Sequence, residues 1–334
     1  MDYVPFKYGK RSVGSRNNWE DLQNFYKIGN KPVIFVFGGN LTTTTKEANG
    51  YAKLIGSFFK EYSASTADII SASYEGEIAD SGRNGIVLSD RAKFNAMAFF
   101  DKTLWPALNQ AKSEEELKTI LGKMIFVGHS AGANVIDVIM ECMQNYLLFR
   151  CAEDKNKVDE LMSHIQCFCY APGDIIKQNV TVFYVSPFYD ELPVWKNLLL
   201  TAKTKAKAQY PQNFLTDYNP STDICAQAKD AINQNKFIAY YLKNGLILVT
   251  DKLSDKNDHN IINLRLDQND KNNRGTQYTA DRKNNYRIFV SSLCESILNR
   301  YFNNVLHNDT SSFHDDFNKI KQYAETNKEE EQTM

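Results

Sequence analysis

A strand that runs almost directly into a helix constrains a fold more than either element alone. Residues 123 to 136, Lys-Met-Ile-Phe-Val-Gly-His-Ser-Ala-Gly-Ala-Asn-Val-Ile, have that form. Met124 to Val127 is an apolar run of strand length, and Ala133 to Leu148 is an apolar run of helix length. Only Gly128-His129-Ser130-Ala131-Gly132 separates them. So sharp a turn needs small neighbours, and Gly128 and Gly132 remove the Cβ atoms that would keep strand and helix apart. Ser130 then stands where the first N–H groups of the helix and its positive dipole end are directed. The five residues fit G-x-S-x-G in a strand–turn–helix setting, the arrangement that presents a serine nucleophile. The bland alternative is a glycine-flanked turn with a solvent-facing serine.

The rest of the chain alternates in the same way. Val33-Ile34-Phe35-Val36-Phe37 is a continuous β-rich run, the mark of a strand buried on both faces, and Gly38-Gly39-Asn40 follows at once. A helix is expected over 45–62, with Tyr51, Ala52, Ile55 and Phe58 among the residues on one face. Strands are expected over 69–74, 165–170 and 180–185, and helices over 89–108, 113–121 and 154–162. Tyr3 to Tyr8 reads as an edge strand. Alternating strands and helices imply an α/β fold with a mostly parallel central sheet and helices on both faces. Ligands of such sheets bind at the carboxyl ends of the strands, which is where Gly38-Gly39-Asn40, Ser130 and Asp190 fall.

Residues 194–236 read as two helices joined by a polar loop with Pro211 and Pro220, and are expected to form a helical cap or lid insertion. Phe237 to Leu242 and Leu246 to Thr250 flank Lys243-Asn244-Gly245, a good hairpin turn. A long amphipathic helix over 286–305 closes a single domain spanning 1–307, and 308–334 is a polar helix and tail.

Composition excludes several classes. The formal net charge of -1 supplies no electrostatic case for nucleic acid or an anionic membrane surface. No window reaches the roughly 18 apolar residues of a membrane span. Met1 to Asn18 is polar and basic without an apolar run, so no cleavable secretory signal is expected. The six cysteines give neither a disulfide framework nor a paired C-x-x-C pattern. Cys167 and Cys169, two apart on one strand, share a face and read as core thiols of a reducing compartment rather than metal ligands. No G-x-G-x-x-G or P-loop is present, so neither cofactor nor metal is expected.

Over residues 31 to 306 the chain resembles the α/β-hydrolase superfamily. The likeness rests on element order and on four matches: the Gly128–Gly132 turn, Gly38-Gly39-Asn40 in the oxyanion-loop position, Asp190 after a strand in the acid position, and His259 between the last strand and the final helix. The resemblance implies acyl transfer through a Ser130, His259, Asp190 triad. Ser130 would attack a carbonyl carbon, His259 would carry the proton, and Asp190 would orient the imidazole. Backbone N–H groups of Ala131 and of Gly39 or Asn40 would bind the oxyanion. His129 would line the site. His164, His307 and His314 are placed elsewhere in the chain order, and Asp251, Asp255 and Asp258 compete with Asp190.

The implied substrate is a small-molecule or lipid carboxylic ester, with Trp195, Leu198, Leu199 and Leu200 available to an acyl pocket or to helix core. Two other readings stand beside it. One is a non-catalytic binding or scaffolding protein on a hydrolase fold. The other concerns delivery: the Glu-rich end, Lys328 to Met334, is similar to the signal of effectors that some intracellular bacteria inject through type IV secretion. The expected location is accordingly the cytoplasm, or export without a cleavable signal.

Overall fold

A computed structural model describes residues 32–39 and 86–186 continuously, with 50–52, 55 and the strand segments 4–7, 68–73, 78–80, 204–205, 237–242 and 245–250. Eleven strands fall in this set. They are β1 (Val4–Lys7), β2 (Val33–Phe37), β3 (Asp68–Ser73), β4 (Ile78–Asp80), β5 (Val87–Leu88), β6 (Met124–His129), β7 (Gln166–Tyr170), β8 (Thr181–Ser186), β9 (Thr204–Lys205), β10 (Phe237–Leu242) and β11 (Gly245–Thr250). The helices are α1 (Asp90–Phe99), α2 (Trp105–Leu108), α3 (Glu114–Gly122), α4 (Ala131–Arg150) and α5 (Lys155–Ser163). A π-helical turn, Phe100–Leu104, joins α1 to α2.

The main sheet has nine strands in the order β1-β3-β2-β6-β7-β8-β11-β10-β9. Every pairing from β3 through β11 is parallel, and the antiparallel pairings lie at the two edges. The fold is therefore α/β with a mostly parallel sheet, as the alternation predicts. Burial explains the continuous apolar runs: Ile34 through Phe37, all of β6, all of β7 and all of β8 are buried, so both faces are covered.

One face carries Phe35, Phe37, Met124, Phe126, Cys167, Cys169, Val182 and Tyr184 into the core against α1, α3, α4 and α5. Phe35 stacks on Phe126 at 4.9 Å between ring centroids, and Phe99 of α1 meets Phe35 and Phe37 edge-on at 5.3 Å each. Cys167 and Cys169 lie fully inside this core, and burial pushes both thiols well up from their ordinary pKa.

Register and connectivity place the crevice. The chain leaves β2 outward to β3, then returns across β2 to β6 and continues the other way through β7 and β8. The direction of winding reverses between β2 and β6, and adjacent loops diverge there at the carboxyl ends. Phe37 pairs with Gly128, so Gly38-Gly39 and His129-Ser130 leave the sheet side by side.

The structure corrects three local expectations. The helix expected over 89–108 is broken by a π turn, because Pro106 has no N–H to give to the carbonyl four residues back and its ring crowds that turn. The backbone compensates at Trp105, whose N–H reaches the carbonyl of Phe100, five residues back. The strand at 124 runs on to His129, and helix α4 starts at Ala131, so the turn narrows to Ser130 alone. Thr204–Lys205, inside the stretch expected to be helical, is an edge strand on Tyr240 and Tyr241 of β10. An edge strand offers unpaired backbone groups that a passing segment can satisfy. The remainder of 194–236, the helix over 286–305 and the tail lie outside the described residues, as do most of the helix over 45–62 and the loop to Asn260. Among the described residues no helix is long and apolar enough to cross a membrane.

Thiol exposure gives a direct check on the core. With the folded protein, a neutral alkylating reagent should modify Cys142 and Cys151, which are half-buried, well before Cys167 and Cys169, which should react only at the rate of unfolding; peptide mass mapping over time measures the order.

Candidate active site at the switch point

Ser130 is the N-cap residue of α4, with φ 52° and ψ −122°. Left-handed φ is uncommon for a residue with a Cβ, and it is held here by three backbone hydrogen bonds. The Ser130 N–H donates to the carbonyl of Tyr170 at 3.1 Å, and the Ser130 carbonyl accepts from Ala133 at 3.1 Å and Gly173 at 2.9 Å. The elbow is thereby tied to its own helix and to the loop after β7.

Three other helices, α1, α3 and α5, use their N-cap side chains in the ordinary way. Ser89 accepts the N–H of Ala92, Ser113 that of Glu116, and Asp154 those of Asn156 and Lys157. Ser130 makes no such side-chain cap. The first-turn N–H of Ala133 is met by the Ser130 carbonyl instead, and the N–H of Ala131, the first residue of α4, lies at the helix end where no carbonyl four residues back belongs to the helix.

Close approach rather than flexibility explains the glycines. A Cβ on Gly132 would lie 2.2 Å from the carbonyl oxygen of Phe37 and 2.7 Å from that of Gly38. A Cβ on Gly128 would meet Ile136 Cδ1 at 2.9 Å and the backbone of Ala133 at 3.0 Å. The first turn of α4 therefore rests directly on the end of β2. From the other side, a Cβ on Gly39 would meet His129 Nδ1 at 3.0 Å and Ser130 Cβ at 3.3 Å. No side chain larger than hydrogen fits easily between Gly39 and the serine.

His129 is the last residue of β6 and is buried. Its ring stacks on Tyr170 at 6.2 Å and faces Tyr51 at 5.6 Å. The Tyr51 hydroxyl lies 2.9 Å from His129 Nδ1 and accepts the Gly39 N–H at 3.2 Å. Tyr51 was read in the sequence only as part of an apolar helix face. The available signal was chemical: a tyrosine on a buried stripe keeps one polar end that needs a partner.

A second shell of hydrogen bonds supports the elbow. Gly173, which donates to Ser130, accepts from Ile86 at 3.3 Å, and the carbonyl of Ile86 accepts from Asn134 Nδ2 at 2.8 Å. The residue after Gly173, Asp174, accepts the Ile175 N–H at 2.8 Å, and burial pushes its carboxyl above the ordinary carboxylate range. Neither Asn134 nor Asp174 stood out in the sequence, because their importance comes from the loop that brings 86, 134 and 173 together.

Of the expected site residues, the structure brings together Ser130, Ala131, Gly39 and His129. Asn40, Asp190 and His259 lie outside the described residues. Their anchors are placed: β2 ends three residues before Asn40, β8 ends four before Asp190 and β11 ends nine before His259, and these three strands are parallel members of one sheet with β6. Among the described residues no group of three His, Cys, Asp or Glu side chains could hold a metal ion.

Two substitutions measure how the site is held. Gly132→Ala should cost about 3 kcal/mol or more in urea unfolding, because backbone rather than a flexible side chain must move. Ser130→Gly should be more stable than Ser130→Ala by roughly 1–2 kcal/mol, since both lose the hydroxyl and only alanine keeps the left-handed strain. No protein-family model and no curated protein matches the chain, so the site is read from its own geometry.

Proposed function

We propose that the protein is a serine hydrolase of α/β-hydrolase type, cleaving a carboxylic ester through an acyl-enzyme on Ser130. The observation that carries this reading is the state of Ser130: a serine at the N-terminus of a twenty-residue helix, strained to φ 52°, not used as a cap, at the reversal point of a parallel sheet. Strain at a single non-glycine residue persists only where the surroundings over-determine it, and such residues concentrate at functional sites. The strand order supports the same fold type, since the serine strand is flanked by β2 on one side and by β7, β8 and β11 on the other.

In this reading Ser130 Oγ attacks the carbonyl carbon while His259 accepts its proton, and Asp190 holds the imidazole. The backbone N–H of Ala131, at the positive end of α4, takes part of the oxyanion charge. His259 returns the proton to the leaving alcohol, and water then releases the acyl group by the reverse roles. The segment over 194–236 is the proposed cap over the acyl group, with its edge strand β9 anchoring it to the sheet.

Fluorophosphonate labelling tests the reading. A single adduct on Ser130, mapped by mass spectrometry, is expected in the wild type. It should be absent in Ser130→Ala and slowed by at least about a hundredfold in His259→Ala. Folded wild-type protein that takes no adduct would sink the proposal.

A further inference from the structure

Two loops leave the sheet side by side at the crevice, and one oxygen atom is bonded to both. The register between β2 and β6 ends at Phe37 and Gly128. Beyond it, Gly38 and Gly39 have no side chains with which to anchor the β2 loop, and glycine backbone is the most permissive there is. The Gly39 N–H donates to the Tyr51 hydroxyl at 3.2 Å, and the same oxygen lies 2.9 Å from His129 Nδ1. The tautomer does not alter the link. With the imidazole proton on Nε2 the phenol donates to Nδ1, and with the proton on Nδ1 the phenol oxygen accepts it. In either case a single hydroxyl joins residue 39 to residue 129.

Both ends of the link are held. His129 pairs with Tyr170 at the end of the β6–β7 ladder, and its ring stacks on the Tyr170 ring at 6.2 Å. The Tyr51 ring lies 5.6 Å from the His129 ring, and Ala52 and Ile55 of the same segment are buried. The looser partner is the glycine loop, and it is the one beside the nucleophile. A Cβ on Gly39 would come within 3.0 Å of His129 Nδ1 and 3.3 Å of Ser130 Cβ.

We propose that Tyr51 is a positioning residue for the reaction at Ser130, acting through Gly39, an inference that rests on the serine-hydrolase reading above. The hydroxyl fixes the β2 loop one residue before Asn40, whose N–H is one of the two expected on that side for the oxyanion. The other, that of Gly39, is the group the phenol holds. Tyr51 therefore needs no contact with the substrate. It sets where the loop stands beside the serine, and a misplacement of about 1 Å in such a loop costs up to about a hundredfold in rate. His129, directly before the serine, is the fixed end of this clamp.

The test compares wild type with Tyr51→Phe, which removes the shared oxygen and keeps the ring that packs on His129. Amide exchange at single-residue resolution reads the clamp itself. Gly39 should exchange at least about tenfold faster in the variant, while Ser130, whose N–H is bonded to Tyr170, keeps its wild-type rate and shows that the fold is intact. Turnover of a p-nitrophenyl ester, counted per serine titrated with fluorophosphonate, should show kcat lower by about tenfold to a hundredfold with KM little changed. An aryl trifluoromethyl ketone, which adds to Ser130 as a hemiketal oxyanion, should lose affinity in proportion to the fall in kcat/KM.

Unchanged exchange at Gly39 would overturn the inference. A lower melting temperature with unchanged kcat per titrated serine would do the same, since Tyr51 would then serve stability alone. A raised KM at constant kcat would also overturn it, because the hydroxyl would be binding substrate and transition state alike. Wild-type protein with no Ser130 adduct removes the hydrolase reading and this inference together, whereas a reactive wild type beside an indifferent Tyr51→Phe removes only this one.

Discussion

The contact between the first turn of α4 and the end of β2 governs the rest of this structure. Gly132 lies so near the carbonyls of Phe37 and Gly38 that no side chain fits between them. That approach pulls the helix N-terminus down onto the sheet edge and forces the connecting residue, Ser130, into left-handed backbone. The same approach brings Gly39 against Ser130 and His129. One steric fact thus sets the strain of the serine, the position of the helix N-terminal N–H groups and the proximity of the Gly38-Gly39 turn.

Apolar packing and polar groups are arranged on opposite sides of that contact. On the α4 side the sheet presents Phe35, Phe126, Cys167, Val182 and Tyr184 to a continuous apolar core. Even the polar end of Tyr184 is satisfied there, accepting the Ile176 N–H at 2.7 Å. On the other side, at the carboxyl end, polar groups are tied together: the Tyr51 hydroxyl to Gly39 and His129, and the backbone of Ser130 to Tyr170, Ala133 and Gly173. The core holds the strands in register, and register is what brings the loops after β2 and β6 together. A strained residue costs of order 1–3 kcal/mol, which a core of this extent offsets.

Two kinds of feature differ in how visible they were before folding. The strands at 33–37, 124–129, 166–170 and 181–186 were legible because burial on both faces writes itself as an uninterrupted apolar run. Ser130 was legible because the turn demands glycine at both flanks. The π turn at 100–104 was signalled by Pro106, whose effect on the ladder is local, although the periodic apolar pattern across 89–108 conceals it. The short strands β4, β5 and β9 were not legible. Each is two or three residues long, and each exists because another strand offers it backbone partners rather than because of its own composition.

Local sequence by itself determined the α/β class, the strand–turn–helix at Ser130 and the core placement of Cys167 and Cys169. All three follow from periodicity and from steric demands within about a dozen neighbouring residues. Only the tertiary structure decided the strand order, and with it the reversal between β2 and β6 that locates the crevice. Only it joined Tyr51 to His129 across 78 residues and Asn134 to Ile86 across 48. Such pairings leave no periodic trace, because a hydrogen bond between distant residues constrains one side chain at each end and nothing in the chain between them.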